Sequence, residues 1–88
     1  MAHHKSAKKR IRQTAKRTAR NRSLRSTLRT SLKKFRSTMD NGAAEQIQSE
    51  LPQTHKVIDK MVTKGILHHR TAARYKSRLT VAANQASA

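Results

Sequence analysis

Leu24-Arg25-Ser26-Thr27-Leu28-Arg29-Thr30-Ser31-Leu32-Lys33-Lys34-Phe35-Arg36-Ser37-Thr38-Met39 interleaves large apolar and basic residues at helical spacing. Its large apolar residues, Leu24, Leu28, Leu32, Phe35 and Met39, recur at steps of four, four, three and four. On a helix turning roughly 100° per residue, all five fall within a sector of roughly 80°. Arg22, Arg25, Arg29, Lys33 and Arg36 occupy a different sector. The stretch therefore reads as an amphipathic helix with a buried stripe and a cationic flank.

Toward the N-terminus the helix is expected to begin near Ser6, whose hydroxyl can accept a first-turn N–H. A helix over residues 6–39 would be a rod of roughly 50 Å. Its first half carries one large apolar side chain, Ile11, among Lys5, Lys8, Lys9, Arg10, Arg12, Lys16, Arg17 and Arg20. That half has little to pack on protein. It is expected to project from the bundle and to fray in free solution, because isolated helices with few apolar contacts are marginal.

Toward the C-terminus, Asp40-Asn41-Gly42 reads as a turn. A second helix is expected over 43–64, with Ile47, Leu51, Ile58, Met61 and Val62 on one face. Pro52 interrupts it, so a kink near Pro52 or a start at Gln53 is expected. Gly65 suits the left-handed residue that closes a helix. Ile66 and Leu67 then plug the turn before a third helix over 69–85. That helix aligns Ala72, Tyr75, Leu79, Ala82 and Ala86, and the residues from Gln85 onward are expected to fray. No alternating strand pattern interrupts this series. The expected fold is all-α: one domain over 1–88, a three-helix bundle with a long, projecting basic N-terminal helix.

Composition narrows the function. The 88 residues hold 21 Lys and Arg against 4 acids, a formal charge of +17, and 34% are hydrophobic. So small and self-repelling a chain excludes a large enzyme core and a deep enclosed pocket. The first 39 residues hold 14 bases and no acid; Asp40, Glu45 and Glu50 follow with no base between them. Cysteine is absent, which removes disulfides and thiolate metal sites. No secretory signal and no membrane span is expected, since no apolar run exceeds a few residues. His3-His4 and His68-His69 are adjacent pairs whose side chains diverge on a helix, His55 is isolated, and no metal site is expected. No phosphate loop, nucleophile elbow or acid–base pair is present, so neither an enzyme nor a cofactor or small-molecule binder is expected.

The basic surface carries the functional signal. Lys8, Arg12, Lys16 and Arg20 repeat every four residues, as do Lys56, Lys60 and Lys64, and Arg70, Arg74 and Arg78. Each row sets positive charge along one helix face at a spacing of roughly 6 Å, matched to a phosphate backbone. Eleven of the bases are arginine, which grips phosphate with two parallel N–H bonds. Ser6, Ser23, Ser26, Thr30 and Ser77 stand beside the bases as donors to phosphate or 2′-hydroxyl, and His68 is a further donor. With one Tyr and one Phe there is almost no platform for stacking single-stranded bases. Recognition of backbone and shape in structured RNA is the expectation.

Lys5-Ser6-Ala7-Lys8-Lys9-Arg10, Arg29-Thr30 with Lys33-Lys34, and Ile58-Asp59-Lys60 resemble the family of bacterial small-subunit ribosomal protein number twenty. So do Lys64-Gly65-Ile66-Leu67-His68 and the more specific run from Ala72-Ala73-Arg74 through Tyr75-Lys76-Ser77 to Arg78-Leu79. The resemblance covers nearly the whole chain in order and length. It implies a three-helix bundle that binds 16S ribosomal RNA directly and early in small-subunit assembly, in the cytoplasm. It implies contacts to the 5′ domain and the long helix of the 3′ minor domain. It carries over RNA contacts to Lys5, Lys8, Lys9, Arg10, Arg29, Lys33, Lys34, Lys64, His68, Arg74, Lys76 and Arg78. With the bases read from charge alone, the expected RNA-binding set adds Ser6, Arg12, Lys16, Arg17, Arg20, Arg22, Arg25, Lys60 and Arg70. The chain departs from the family pattern at His3, at His69-Arg70, and from Thr80 onward, where bases are fewer. The alternative function is a nonspecific, histone-like compactor of DNA or RNA. A membrane-active peptide is disfavoured by the want of aromatic residues on the apolar face.

Overall fold

A computed structural model describes the backbone of residues 2–88 and the side chains from Ser6 onward. Three helices follow in order: α1 (Ala2–Asn41), α2 (Ala44–Thr63) and α3 (His69–Ser87). No strand is present among the described residues. The molecule measures 66 × 22 × 14 Å, because α1 is far longer than its partners.

The stripe on α1 closes on the others as its spacing requires. Leu28 and Phe35 are buried, and Leu24, Leu32 and Met39 pack at the core's edge. From α2 come Ile47, Leu51, Ile58 and Met61, and from α3 Ala72, Leu79 and Ala83. Thr38 and Thr54 are also buried, at positions a purely apolar reading passes over. Each turns its hydroxyl back to the carbonyl four residues earlier (Lys34 and Glu50, both at 3.1 Å), which satisfies the buried oxygen. On α3 the buried stripe turns to Ala83; Ala86 is exposed. α3 packs closely on α2 and only lightly on α1.

Element boundaries differ from expectation at three places, the two ends of α1 and the end of α3. α1 starts at Ala2, so Ser6 lies within the helix and caps nothing. The run Lys5-Ser6-Ala7-Lys8-Lys9-Arg10 is mostly good helix formers and gives the helix no reason to begin there. α1 also continues through Asp40 and Asn41, leaving only Gly42 and Ala43 as the turn. α2 agrees with the expected 43–64 to one residue at each end: it runs through Pro52 from Ala44, and the alternative start at Gln53 is set aside. Pro52 and Gln48, whose carbonyl loses its partner there, are both exposed, so water can take the missing bond. α3 extends to Ser87 because Gln48 Nε2 on α2 donates to Asn84 Oδ1 (3.2 Å) and Ser87 Oγ (3.1 Å). Those bonds hold the last turn that local sequence alone would let fray.

The two glycines do different jobs. Gly42 is required by close approach: a Cβ there would meet the Thr38 carbonyl oxygen at 2.6 Å. Gly65 has φ +77 and closes α2 as a Schellman cap. Its N–H donates to the Val62 carbonyl (3.0 Å) and that of Ile66 to Met61 (2.9 Å). Space around Gly65 is open, so Gly65→Ala tests backbone conformation alone. The variant is expected to lose about 1 kcal/mol of stability, read as a lower midpoint in chemical denaturation.

Candidate nucleic-acid interface

Every residue from Ser6 to Arg20 is exposed. Lys8, Lys9, Arg10, Arg12, Lys16 and Arg17 thus stand along a rod with no carboxylate beside them. The one ion pair among the described residues is Lys76–Asp59, elsewhere in the bundle. Like-charge repulsion along this half of α1 is therefore uncompensated by any neighbouring carboxylate. Arg20 is the exception in this half: its Nη2 donates to the Lys64 carbonyl at the end of α2, 3.4 Å away. A guanidinium at a helix C-terminus also complements the partial negative charge there. The Lys5 side chain lies outside the described residues.

Where α1 joins the bundle its cations divide. Lys34 lines the α1–α2 groove with Ser31, Phe35, Glu50, Gln53, Thr54 and Val57. Arg29, Lys33 and Arg36 line a shallow groove on the other flank, with Ser26, Thr30 and Leu32. Arg22 and Arg25 continue that second flank toward the N-terminus with Thr18, Asn21 and Arg29. Thr30, read as a donor to RNA, already gives its proton to the Ser26 carbonyl (2.9 Å), so it faces a ligand as an acceptor only.

The rows of α3 divide in the same way. Lys76, Thr80, Asn84 and Ser87 face α2. Lys76 Nζ sits 2.9 Å from Asp59 Oδ1 and is only about one-third exposed (34%), so the structure separates it from its neighbours in sequence. Thr80 gives its single proton to the Lys76 carbonyl (2.8 Å), so at 3.2 Å His55 must donate to it through Nε2–H. Arg74 and Arg78 are exposed, on the side of α3 turned away from those contacts. The Arg20–Lys64 bond sets the start of α3 level with the point where α1 leaves the bundle. Arg25, Arg29, Lys33 and Arg36 are likewise exposed, on the flank of α1 away from the α1–α2 groove. Tyr75 and Leu32 are half-buried against the core. Arg36 belongs to this set although it is absent from the expected one; the 22, 25, 29, 33, 36 spacing carries the signal.

The remaining expected positions lie apart. Lys60 is on the outer face of α2, and Lys64 is its C-cap residue. His68 caps α3: its Nδ1 accepts the Arg70 N–H at 3.2 Å, a structural use of the ring. Its ring stacks on His69 with centroids 4.2 Å apart. Arg70 is exposed in the first turn of α3. No three potential metal ligands converge among the described residues, and no helix is long and apolar enough to cross a membrane.

Asn21 marks the branch point. Its Oδ1 is buried with no hydrogen-bond partner, on the same face of α1 as Leu24 and Leu28. Asn21→Leu is expected to raise stability by about 1 kcal/mol by removing that orphaned acceptor, measured as an upward shift in Tm.

Residues 2–84 match the family model for ribosomal protein S20. The chain belongs to the ribosomal protein S20 family. It is 50% identical over 80 residues to small ribosomal subunit protein bS20 of Koribacter versatilis, covering 91% of this chain and 90% of that one. It is 46% identical over 85 residues to bS20 of Nitratidesulfovibrio vulgaris, covering 97% and 98%. Against bS20 of Citrifermentans bemidjiense it is 50% identical over 84 residues, covering 96% and 97%. These S20 matches run through the projecting half of α1 as well as the bundle, so the part of the chain with no protein to pack on is within the family region.

Proposed function

We propose that this S20-family protein is a structural component of the small ribosomal subunit, in the cytoplasmic ribosome, and not an enzyme. It binds 16S ribosomal RNA directly and holds separate RNA helices together as the subunit assembles. The 88 residues act as one domain. The observation that carries this reading is the distribution of cations. One exposed rod, α1 from Ser6 to Arg20, carries its cations with no acid among them, and exposed arginines on one flank of α1 (Arg22, Arg25, Arg29, Arg36) and on α3 (Arg74, Arg78) make no ion pair among the described residues. A phosphate backbone is the partner that removes the repulsion. Resemblance to the S20 family implies contacts to the 5′ domain and the 3′ minor domain, and a molecule 66 Å long can span more than one RNA helix. Phosphate contacts position the protein, and the folded shape of the RNA supplies specificity.

A histone-like compactor of DNA would use the same charge. It would also need a surface for pairing its subunits, and of the bundle's large apolar residues only Val81 is left exposed. Competition binding separates the two readings. A 16S 5′-domain transcript is expected to be preferred strongly over duplex DNA and over an unrelated structured RNA at physiological salt. Equal competition with the same salt slope would leave only nonspecific polyanion binding.

A further inference from the structure

The cations of the projecting half of α1 leave one face bare. With roughly 100° per residue, Lys8, Lys9, Arg10, Arg12, Lys16, Arg17 and Arg20 cover roughly 200° of the circumference. Ala7, Ile11, Thr14, Ala15 and Thr18 lie together in the gap, within a sector of roughly 100°. All five are exposed, and Ile11, at 68%, is the most exposed large apolar residue described. Lys8 and Arg12 stand along one border of this seam, Arg10 and Arg17 along the other. At Thr18 the seam opens into the groove of Asn21, Arg22, Arg25 and Arg29.

The threonines add a second observation. Thr27, Thr30, Thr38, Thr54, Thr63 and Thr80 each donate to the carbonyl four residues back. Thr14 and Thr18 make no such bond, although both sit in helix, so their hydroxyl protons are free for an external acceptor.

A surface of small, uncharged side chains with free hydroxyls, bordered by cations on both sides, has a specific complement. A single phosphate ridge would draw the cations to the middle of the face. A second copy of this chain is excluded by the +17 charge. A protein partner would find one large apolar anchor, too little for a stable interface. The minor groove of A-form RNA is wide and shallow, lined by 2′-hydroxyls and rimmed by phosphates on both strands.

We propose that the seam of Ala7, Ile11, Thr14, Ala15 and Thr18 seats α1 in the minor groove of an RNA duplex. Thr14 and Thr18 donate to 2′-hydroxyl oxygens, and the bordering Lys8, Arg12, Arg10 and Arg17 reach the phosphates of the two strands. This rests on the reading that the chain binds 16S RNA and names the groove that α1 occupies.

The test uses the full chain carrying Ala7→Gln and Ala15→Gln. These changes fill the seam without altering charge, and neither residue touches the bundle, so the fold is untouched. Affinity for the 16S 5′-domain transcript is expected to fall about tenfold or more, with the salt slope unchanged. Hydroxyl-radical footprinting reads the ribose contacts directly. Wild type is expected to protect riboses on both strands across one minor groove, and the double variant to lose that protection alone. Thr14→Val with Thr18→Val is expected to weaken binding without moving the footprint. Unchanged affinity and footprint for the glutamine variant would overturn the proposal and leave the seam facing solvent or protein, with RNA binding itself intact. Failure of the underlying reading is distinct: wild type itself would then show no preference for the transcript over duplex DNA.

Discussion

Phe35→Ala is expected to cost about 3–5 kcal/mol and to leave the bundle largely unfolded at room temperature. The Phe35 side chain is 1% exposed and lies in the one core the three helices share. Its removal deletes the largest buried side chain and leaves a cavity that neighbours on three helices cannot all relax to fill. A domain of this size has little to spare, since small domains sit at the low end of a stability range of about 5–15 kcal/mol. Charge repulsion lowers the margin further. Helical circular dichroism against temperature reads the result. Ile11→Ala is the matched control: it also shortens a large apolar side chain on α1, but outside the bundle, and is expected to leave Tm unmoved. A native-like melting curve for Phe35→Ala would show that the α1 stripe does not form the core. Leu28→Asp is expected to collapse the bundle for the same reason, with an unpaired charge added.

The second large effect is on RNA. Arg74→Ala with Arg78→Ala is expected to weaken binding of the 16S 5′-domain transcript about uniformly across RNA sequence variants. It is also expected to lower the salt slope by about 2, one for each phosphate no longer neutralised. Adding Arg25→Ala and Arg29→Ala, exposed on the cationic flank of α1, is expected to take the slope down by about 2 more. Lys76→Ala provides the contrast, because that ammonium is already engaged by Asp59. It is expected to change RNA affinity little and stability by about 1 kcal/mol or less, as a partly exposed ion pair does. An unchanged slope for the Arg74/Arg78 double variant would remove α3 from the RNA-binding surface.

The contrast between Arg74 and Lys76 shows where local reading stops. Both are basic, both lie in the run that resembles the S20 family, and both stood as RNA contacts on that basis. Two residues along a helix is roughly 200° of turn, so they face opposite ways. The partner of Lys76 is 17 positions earlier in the chain, on another helix, and nothing near Lys76 announces it. His68 is similar: a ring beside a basic row reads as a phosphate donor, yet its nitrogen accepts the Arg70 N–H and caps α3. Lys33 and Lys34 are neighbours that end in different grooves.

The sequence by itself determined what depends on helical period, backbone conformation and net charge. The α1 stripe, the Gly65 cap, the α-helical class and the uncompensated positive charge all follow from residues within a few turns of one another. Tertiary structure decided what depends on which faces meet. It paired Lys76 with Asp59 and set Arg20 against the Lys64 carbonyl, and left the other cations without an ion pair among the described residues. It buried Thr38 and Thr54, and carried α3 on to Ser87 through bonds from Gln48. The physical reason is range: period and charge are properties of a segment, whereas a hydrogen bond or ion pair between helices exists only once three segments have closed on a common core.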